Sequence, residues 1–209
     1  MTNDSDISGY TWNHANLNHS HNYLLPKVLD LLDESNAKEK CLFEVGCGNG
    51  SVANEIQQKG WNIKGVDVSV EGIKKANKKY PKLELYIGSA YDDLNEKYGQ
   101  FPIVLSLEVI EHVYFPRQYI STINKLLEPQ GQIILSTPYH GYCKNLALAL
   151  TGNMDAHFTA LWDHGHIKFW SFKTLKQLLE EFGFTDVKFY RVGRIPIIAK
   201  SMIVTAIKP

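Results

Sequence analysis

Short apolar runs alternate with amphipathic stretches along most of the chain after residue 40. The apolar runs are too short for helices, whereas the stretches between them place apolar residues at helical spacing. Parallel strands that are buried on both faces and joined by crossover helices give this alternation. It predicts strands at residues 41–46, 63–68, 83–87, 103–107 and 132–136 of one continuous sheet.

Helix boundaries between these strands follow from capping residues. The spacing predicts helices at residues 52–59, 70–79 and 117–127, with Ser69 as the N-cap of the second and Gly60 as the stop of the first. Residues 128–131 read Glu-Pro-Gln-Gly, which predicts a compact turn just before the strand at Gln132.

The last part of the chain predicts one more helix and two more strands. The helix begins at Ser171 and stops at Gly183, and strands at residues 185–192 and 202–207 follow as an antiparallel edge. We therefore predict a single α/β domain over residues 1–209, with a doubly wound, mostly parallel sheet in a core at 40–209. A helical arm (residues 1–38) and an insertion at residues 139–166, here called the lid, are expected to cover a site.

Composition and charge narrow the class of protein. Apolar residues make up 44% of the 209-residue chain, which is typical of a globular protein. Lys plus Arg and Asp plus Glu each number 22, so nothing favours nucleic acid as a partner. Three cysteines without a CxxC pair, a polar start that does not resemble a secretory signal and no apolar run long enough to span a bilayer together predict a cytoplasmic protein.

A glycine-rich turn follows the first strand directly. It reads Glu44-Val45-Gly46-Cys47-Gly48-Asn49-Gly50, and glycines there let the backbone approach a ligand closely. The spacing is G-x-G-x-G rather than the G-x-G-x-x-G of dinucleotide sites, and Glu44 would repel a pyrophosphate. The cationic ammonium and sulfonium of S-adenosylmethionine would instead be attracted by this carboxylate. We therefore predict a sulfonium cofactor bound by these residues.

Asp67 ends the second strand, where an acid can accept hydrogen bonds from ribose hydroxyls. The alternative interpretation is a glycine-tightened turn with Asp67 as a helix cap. The glycine turn and the acid occurring together favour a nucleoside-binding site.

With these motifs, residues 40–183 resemble the class I S-adenosylmethionine-dependent methyltransferases, particularly the ubiquinone-biosynthesis O-methyltransferases. The similarity also includes residues 87–94, which look like the segment at the adenine, and residues 104–113, which look like the fourth strand. It implies a seven-stranded sheet with the last strand inserted antiparallel, and cofactor contacts from Val68, Ser89, Ala90 and Leu107. Where this chain has Ser89 and Pro102, the family often has Asp.

Methyl transfer from a sulfonium needs alignment and exclusion of water more than dedicated catalytic groups. A hydroxyl acceptor must lose its proton, and we predict His112 as the base, with Glu111 beside it. If the chain turns helical here, Glu108, Glu111 and His112 would come together and could hold a divalent cation. The base role is the expectation, and the metal site stays open as the less favoured alternative.

Other aromatic and histidine residues are expected near the site without an assigned role. In the lid they are Tyr139, His140, Tyr142, His157, Phe158, Trp162, His164 and His166, and in the arm Tyr10, Trp12 and Tyr23. His14, His19 and His21 also lie in the arm, where polar positions on a covering helix are expected in preference to a metal site. The lid segment 146–150 could close over the site or contact another subunit.

We expect methylation of a hydroxyl on a small molecule. An N-methyltransferase or a macromolecular acceptor, a nicotinamide-dependent oxidoreductase and a non-catalytic nucleoside-binding module are the alternatives.

Overall fold

The computed structural model describes residues 16–163 and 165–209. Seven strands form one sheet in the order β3-β2-β1-β4-β5-β7-β6, with β7 antiparallel to both of its neighbours. The strands are β1 Cys41–Val45, β2 Asn62–Asp67, β3 Glu84–Ile87, β4 Phe101–Leu107, β5 Leu127–Pro138, β6 Thr185–Val192 and β7 Ser201–Ile207. The predicted doubly wound, mostly parallel sheet is confirmed.

Helices cover both faces of this sheet. The α-helices of the described ranges are α1 His21–Asp33, α2 Ser51–Gln57, α3 Val70–Lys79, α4 Leu94–Tyr98, α5 Pro116–Leu126, α6 Tyr142–Leu150, α7 Met154–Phe158 and α8 Phe172–Glu181. One face packs against α1, α2 and α3, and the other against α4, α5 and α8. In the described ranges, no helix is both long and apolar enough to cross a membrane.

The predicted capping residues have the expected geometry. Ser69 accepts a hydrogen bond from the backbone N–H of Gly72 at 3.0 Å, which satisfies a donor in the first turn of α3. Ser171 and Thr174 form a reciprocal capping box at the start of α8. Gly60 and Gly183 both have positive φ at the ends of their helices, as expected for stop positions.

Two details of the predicted core are wrong. Residues 128–131 do not form a separate turn but belong to β5, where Gln130 has a φ of 62° and the register against β4 shifts. The backbone N–H of Gln130 donates to the carbonyl of Lys208, which keeps the segment in the sheet. The short helix α4 was not predicted, since its five residues are too few to show a helical period.

The N-terminal arm contributes buried residues to the core. Helix α1 buries Leu24, Leu25, Val28, Leu31 and Leu32 against the sheet, so the described part of the arm completes one layer of the core. The lid consists of α6, α7 and the turns that follow. The predicted arm residues Tyr10, Trp12 and His14 and the lid residue His164 lie outside the described residues.

Candidate functional site

The glycine turn places a bare backbone at the carboxyl end of β1. Gly46 has a φ of +85°, and a Cβ added there would lie 2.3 Å from Cγ2 of Val109. The N–H groups of Gly46 and Cys47 both donate to the carbonyl of Val66 on β2, at 2.8 and 3.0 Å. The turn therefore requires glycine at position 46 and is anchored to the neighbouring strand.

Asp67 holds the same turn from β2. Its Oδ2 accepts a hydrogen bond from the N–H of Gly48 and its Oδ1 one from the N–H of Ser69, both at 2.8 Å. The same carboxylate lies at the end of β2, where an acid can accept hydrogen bonds from ribose hydroxyls. The predicted capping and ribose-binding roles are thus compatible in one side chain.

Glu44 is a buried acid behind the turn. The residue is 2% exposed, and its Oε2 has no hydrogen-bond partner among the described residues. Burial, together with the nearby carboxylate of Asp67, raises the pKa of Glu44 to about 8. A cation next to Glu44 would offset both effects.

These residues share a cavity of about 750 Å³ at the carboxyl ends of β1, β2, β3 and β4, here called the main cavity. A crevice at this edge is where open α/β sheets bind ligands. The predicted site residues that line it are Glu44, Gly46, Cys47, Gly48, Asp67, Val68, Ser89, Ala90, Leu107 and His112. The structure therefore brings most of the predicted cofactor residues together with the predicted base.

Two residues of the glycine motif lie behind the turn and not in the cavity wall. The side-chain amide of Asn49 accepts from the N–H of Ser51 and donates to the carbonyl of Asn16, which ties the turn to the arm. Gly50 lies against Leu85 and Ala76. Contact of Asn49 and Gly50 with a cofactor stays a prediction.

About half of the residues that line the main cavity had no role assigned from the sequence. Asn18, Ser20 and His21 contribute from the arm, and the other lining residues without an assigned role are Val52, Val66, Gly88, Tyr91, Val109, Val113, Tyr114, Gly165 and Ile167. Glu108, considered above as a possible metal ligand, also lines the cavity. His21 accepts a hydrogen bond from the N–H of Asn18, and burial lowers the pKa of His21 to about 4. A histidine at the start of an amphipathic helix was the available signal, but its direction depends on how the arm packs.

The segment after β4 does not become helical, so the predicted group of Glu108, Glu111 and His112 is wrong. Glu108 has a φ of 55° and its carboxylate accepts hydrogen bonds from Ser136 at 2.8 Å and Ser201 at 3.3 Å. Its pKa is raised by burial to about 7 despite these hydrogen bonds. Glu108 thus points toward β5 and β7.

A different group forms in its place. Ligand atoms of Glu111, His112 and His166 all lie within 4.8 Å of one another. Glu111 is fully buried, and neither of its carboxylate oxygens meets a hydrogen-bond partner in the described part of the chain. Its pKa is raised by burial and then by Glu108, whereas the pKa of His166 is lowered to about 4, mainly by burial. One carboxylate and two imidazoles are donors that suit a divalent transition-metal ion.

The remaining lid residues divide into two groups. Trp162 packs edge-on against His112, with ring centroids 5.7 Å apart, beside the main cavity. His140, His157 and Phe158 form a separate cluster, in which the His140 and His157 centroids are 5.6 Å apart. Tyr139 packs against Phe172, and Tyr142 is 90% exposed. The main cavity is not lined by any of the last five residues: Tyr139, His140, Tyr142, His157 and Phe158.

The chain is similar in sequence to proteins of known name. The chain is 35% identical over 125 residues to a protein named ubiquinone biosynthesis O-methyltransferase from Caulobacter sp. (strain K31), covering 58% of this chain and 48% of that protein. A protein of the same name from Pseudomonas aeruginosa (strain UCBPP-PA14) is 32% identical over 104 residues, covering 47% and 44%. The chain thus spans about half the length of the curated relatives it matches.

Solved structures share the fold. The PH0226 protein from Pyrococcus horikoshii OT3 superposes with a TM-score of 0.70 at 17% identity, covering 93% of both chains. Magnesium protoporphyrin IX methyltransferase from Synechocystis PCC 6803, solved with bound S-adenosylhomocysteine, gives a TM-score of 0.68 at 17% identity over 88% of this chain and 82% of that one. Residues 17–188 match the family described as "Methyltransferase domain", and the chain belongs to that family.

Proposed function

We propose that this protein transfers the methyl group of S-adenosylmethionine to a hydroxyl oxygen of a small molecule. The observation that carries the proposal is that one cavity of about 750 Å³ holds the glycine turn, Glu44 and Asp67 together with His112. The residues that we propose to bind the nucleoside and the one that we propose to act on the hydroxyl therefore face the same space. The names of the curated relatives favour oxygen over nitrogen as the acceptor atom.

The residues of the turn fit the cofactor. The bare backbone at Gly46 allows close approach, and the carboxylate of Asp67 at the end of β2 suits the two ribose hydroxyls. The unpartnered Oε2 of Glu44 suits the ammonium end. Held by these residues, the cofactor would supply a methyl group on a positively charged sulfur for transfer to an acceptor oxygen, which would have to lose its proton.

His112 is placed to assist the departure of that proton. It lines the main cavity and its ring centroid lies 4.8 Å from that of His166. The grouping with buried Glu111 favours a shared metal site over a lone base, because Glu111 otherwise leaves both carboxylate oxygens without a hydrogen-bond partner in the described chain. A divalent cation held there would lower the pKa of an acceptor hydroxyl.

Calorimetry with S-adenosylhomocysteine, S-adenosylmethionine and NAD tests the cofactor. We expect micromolar binding of the two sulfur compounds and none of NAD. Small aromatic diols are then supplied with S-adenosylmethionine, and methyl ether formation is followed by mass spectrometry. Binding of NAD alone would favour the oxidoreductase alternative, and binding without methylation of any acceptor would favour a non-catalytic module.

Replacing Asp67 with alanine should weaken S-adenosylhomocysteine binding by about 1 to 3 kcal/mol, since hydrogen bonds to a charged acceptor are lost. Calorimetry measures the change. Ser69→Ala is the matched control, because it removes the α3 cap in the same turn without removing the acid. Equal losses in both variants would mean that Asp67 acts only on the turn and would remove the ribose assignment.

Removal of metal should distinguish the two roles of His112. We expect Mn²⁺ to bind the purified protein, and His166→Ala to weaken that binding by about 10- to 100-fold while His157→Ala, outside the group, leaves it unchanged. Titration calorimetry or electron paramagnetic resonance measures the affinity. If turnover instead survives complete chelation and His112→Ala lowers it by roughly 100-fold, His112 acts as the base.

A further inference from the structure

A second cavity lies between the lid and the loop that joins β6 to β7. It has a volume of about 340 Å³ and is bounded by helix α6 and the short 3-10 helix Pro196–Ile198, which contact each other. Its lining residues are Lys144, Ala147, Leu148, Thr151, His157, Arg194, Ile198, Ala199 and Lys200. We call it the second cavity.

Its polar wall is positively charged. Lys144, Arg194 and Lys200 line it, whereas no aspartate or glutamate does. In the described part of the chain, none of the three forms an ion pair with a carboxylate. The ammonium of Lys144 donates to the carbonyl of Tyr139 at 2.8 Å, and Nζ of Lys200 lies 2.9 Å from Nε2 of His19. Each of these lysines still has N–H donors available.

Like charges are held together here. Lys144 is half-buried, and its pKa is lowered by burial and then by the charge of Arg194. Repulsion between two cations in a concave space is relieved when an anion binds between them. The rest of the wall is apolar, from Ala147, Leu148, Ile198 and Ala199, which suits the body of an organic molecule.

The second cavity adjoins the methyl-transfer site. Lys200 of the second cavity precedes Ser201, and the hydroxyl of Ser201 donates to the carboxylate of Glu108, which lines the main cavity, at 3.3 Å. A molecule anchored in the second cavity is thus near the lid side of the main cavity.

We propose that the second cavity is an anion-binding subsite that anchors a carboxylate or phosphate group of the methyl acceptor through Lys144, Arg194 and Lys200. This assignment rests on the proposed function for its acceptor role. It specifies the acceptor class as a hydroxylated organic anion. The apolar wall would contact the carbon skeleton next to the anionic group.

Binding is tested first, with the full chain saturated with S-adenosylhomocysteine. Benzoate and phenyl phosphate are titrated as probes, and benzamide serves as the uncharged analogue. We expect at least one anion to bind about tenfold more tightly than benzamide, and Arg194→Gln and Lys144→Gln each to weaken it about tenfold. The stronger of the two anions identifies the group. Lys82→Gln, exposed near the opposite edge of the sheet, is the charge-matched control and should change nothing.

Kinetics then test the acceptor role. A dihydroxybenzoate should have a KM about tenfold below that of the corresponding amide, and Arg194→Gln should bring this ratio toward 1. Equal affinity of the wild type and Arg194→Gln for both anions, no binding of either anion, or equal KM values in the wild type would overturn the subsite. Failure to bind S-adenosylhomocysteine, with anion binding intact, would count against the proposed function and not against the subsite.

Discussion

Replacing Gly46 with alanine is expected to destabilise the protein by about 2 to 4 kcal/mol and to lower the affinity for S-adenosylhomocysteine at least 100-fold. The backbone has a φ of +85° there, which is strained for any residue with a Cβ. The new Cβ would also lie 2.3 Å from Cγ2 of Val109, so the cavity wall must move. Chemical denaturation and calorimetry measure the two effects.

Two further variants separate strain from collision. Gly60→Ala has a similar φ of +87° with nothing within 4 Å of the added Cβ, so it should cost only about 1 kcal/mol and leave ligand binding intact. The double variant Gly46→Ala, Val109→Ala should recover part of the stability lost in the single variant. If Gly46→Ala behaves like Gly60→Ala, the close contact with Val109 has no functional importance.

Glu44 should make the free protein less stable as the pH rises. Its pKa is raised from 4.5 to about 8, so the folded state keeps a proton that the unfolded chain has lost. The stability that this proton provides is complete below about pH 4.5, falls as the pH rises and levels off above about pH 8. From these values the loss by pH 8 is roughly 4 kcal/mol, and Glu44→Gln should remove it.

Urea denaturation at several pH values measures this effect as the difference in slope between the wild type and Glu44→Gln. Exposed Glu128→Gln is the control and should follow the wild type. Because bound cofactor places a cation near Glu44, saturating S-adenosylmethionine should reduce the difference. Identical pH dependence in the wild type and Glu44→Gln would show that Glu44 titrates normally and would weaken its assignment to the ammonium end.

The sheet was predictable because its strands carry their own signal. A strand covered on both faces is mostly apolar, as the burial of Leu42, Phe43 and Val45 shows, and no distant residue is needed to recognise it. The segment at residues 128–131 was not predictable in the same way. Proline and glycine there indicated a turn, but pairing with Lys208 from the other end of the chain keeps it in β5.

The candidate site shows the same division. Glu44 and Asp67 were recognisable because each lies at the end of a strand, where topology alone directs it to the cavity. The third member of the group with Glu111 and His112 was not recognisable from the sequence. The backbone of Glu108 has a positive φ, and its side chain contacts Ser136 and Ser201 and not this group. His166 takes its place from the lid, more than fifty positions later, and local spacing carries no information about such a contact.

The position of β7 has a consequence for synthesis on the ribosome. In the described part of the chain, strand β6 lies at the edge of the sheet beside β7, and β7 pairs with β5 by contacts such as Gln132 with Ile207. When β6 emerges, its neighbour has not yet been translated, so α8 and β6 must wait beside a nascent sheet whose β5 edge is exposed. Such an edge can pair with other chains. This protein therefore most needs protection from aggregation in the period just before β7 leaves the ribosome.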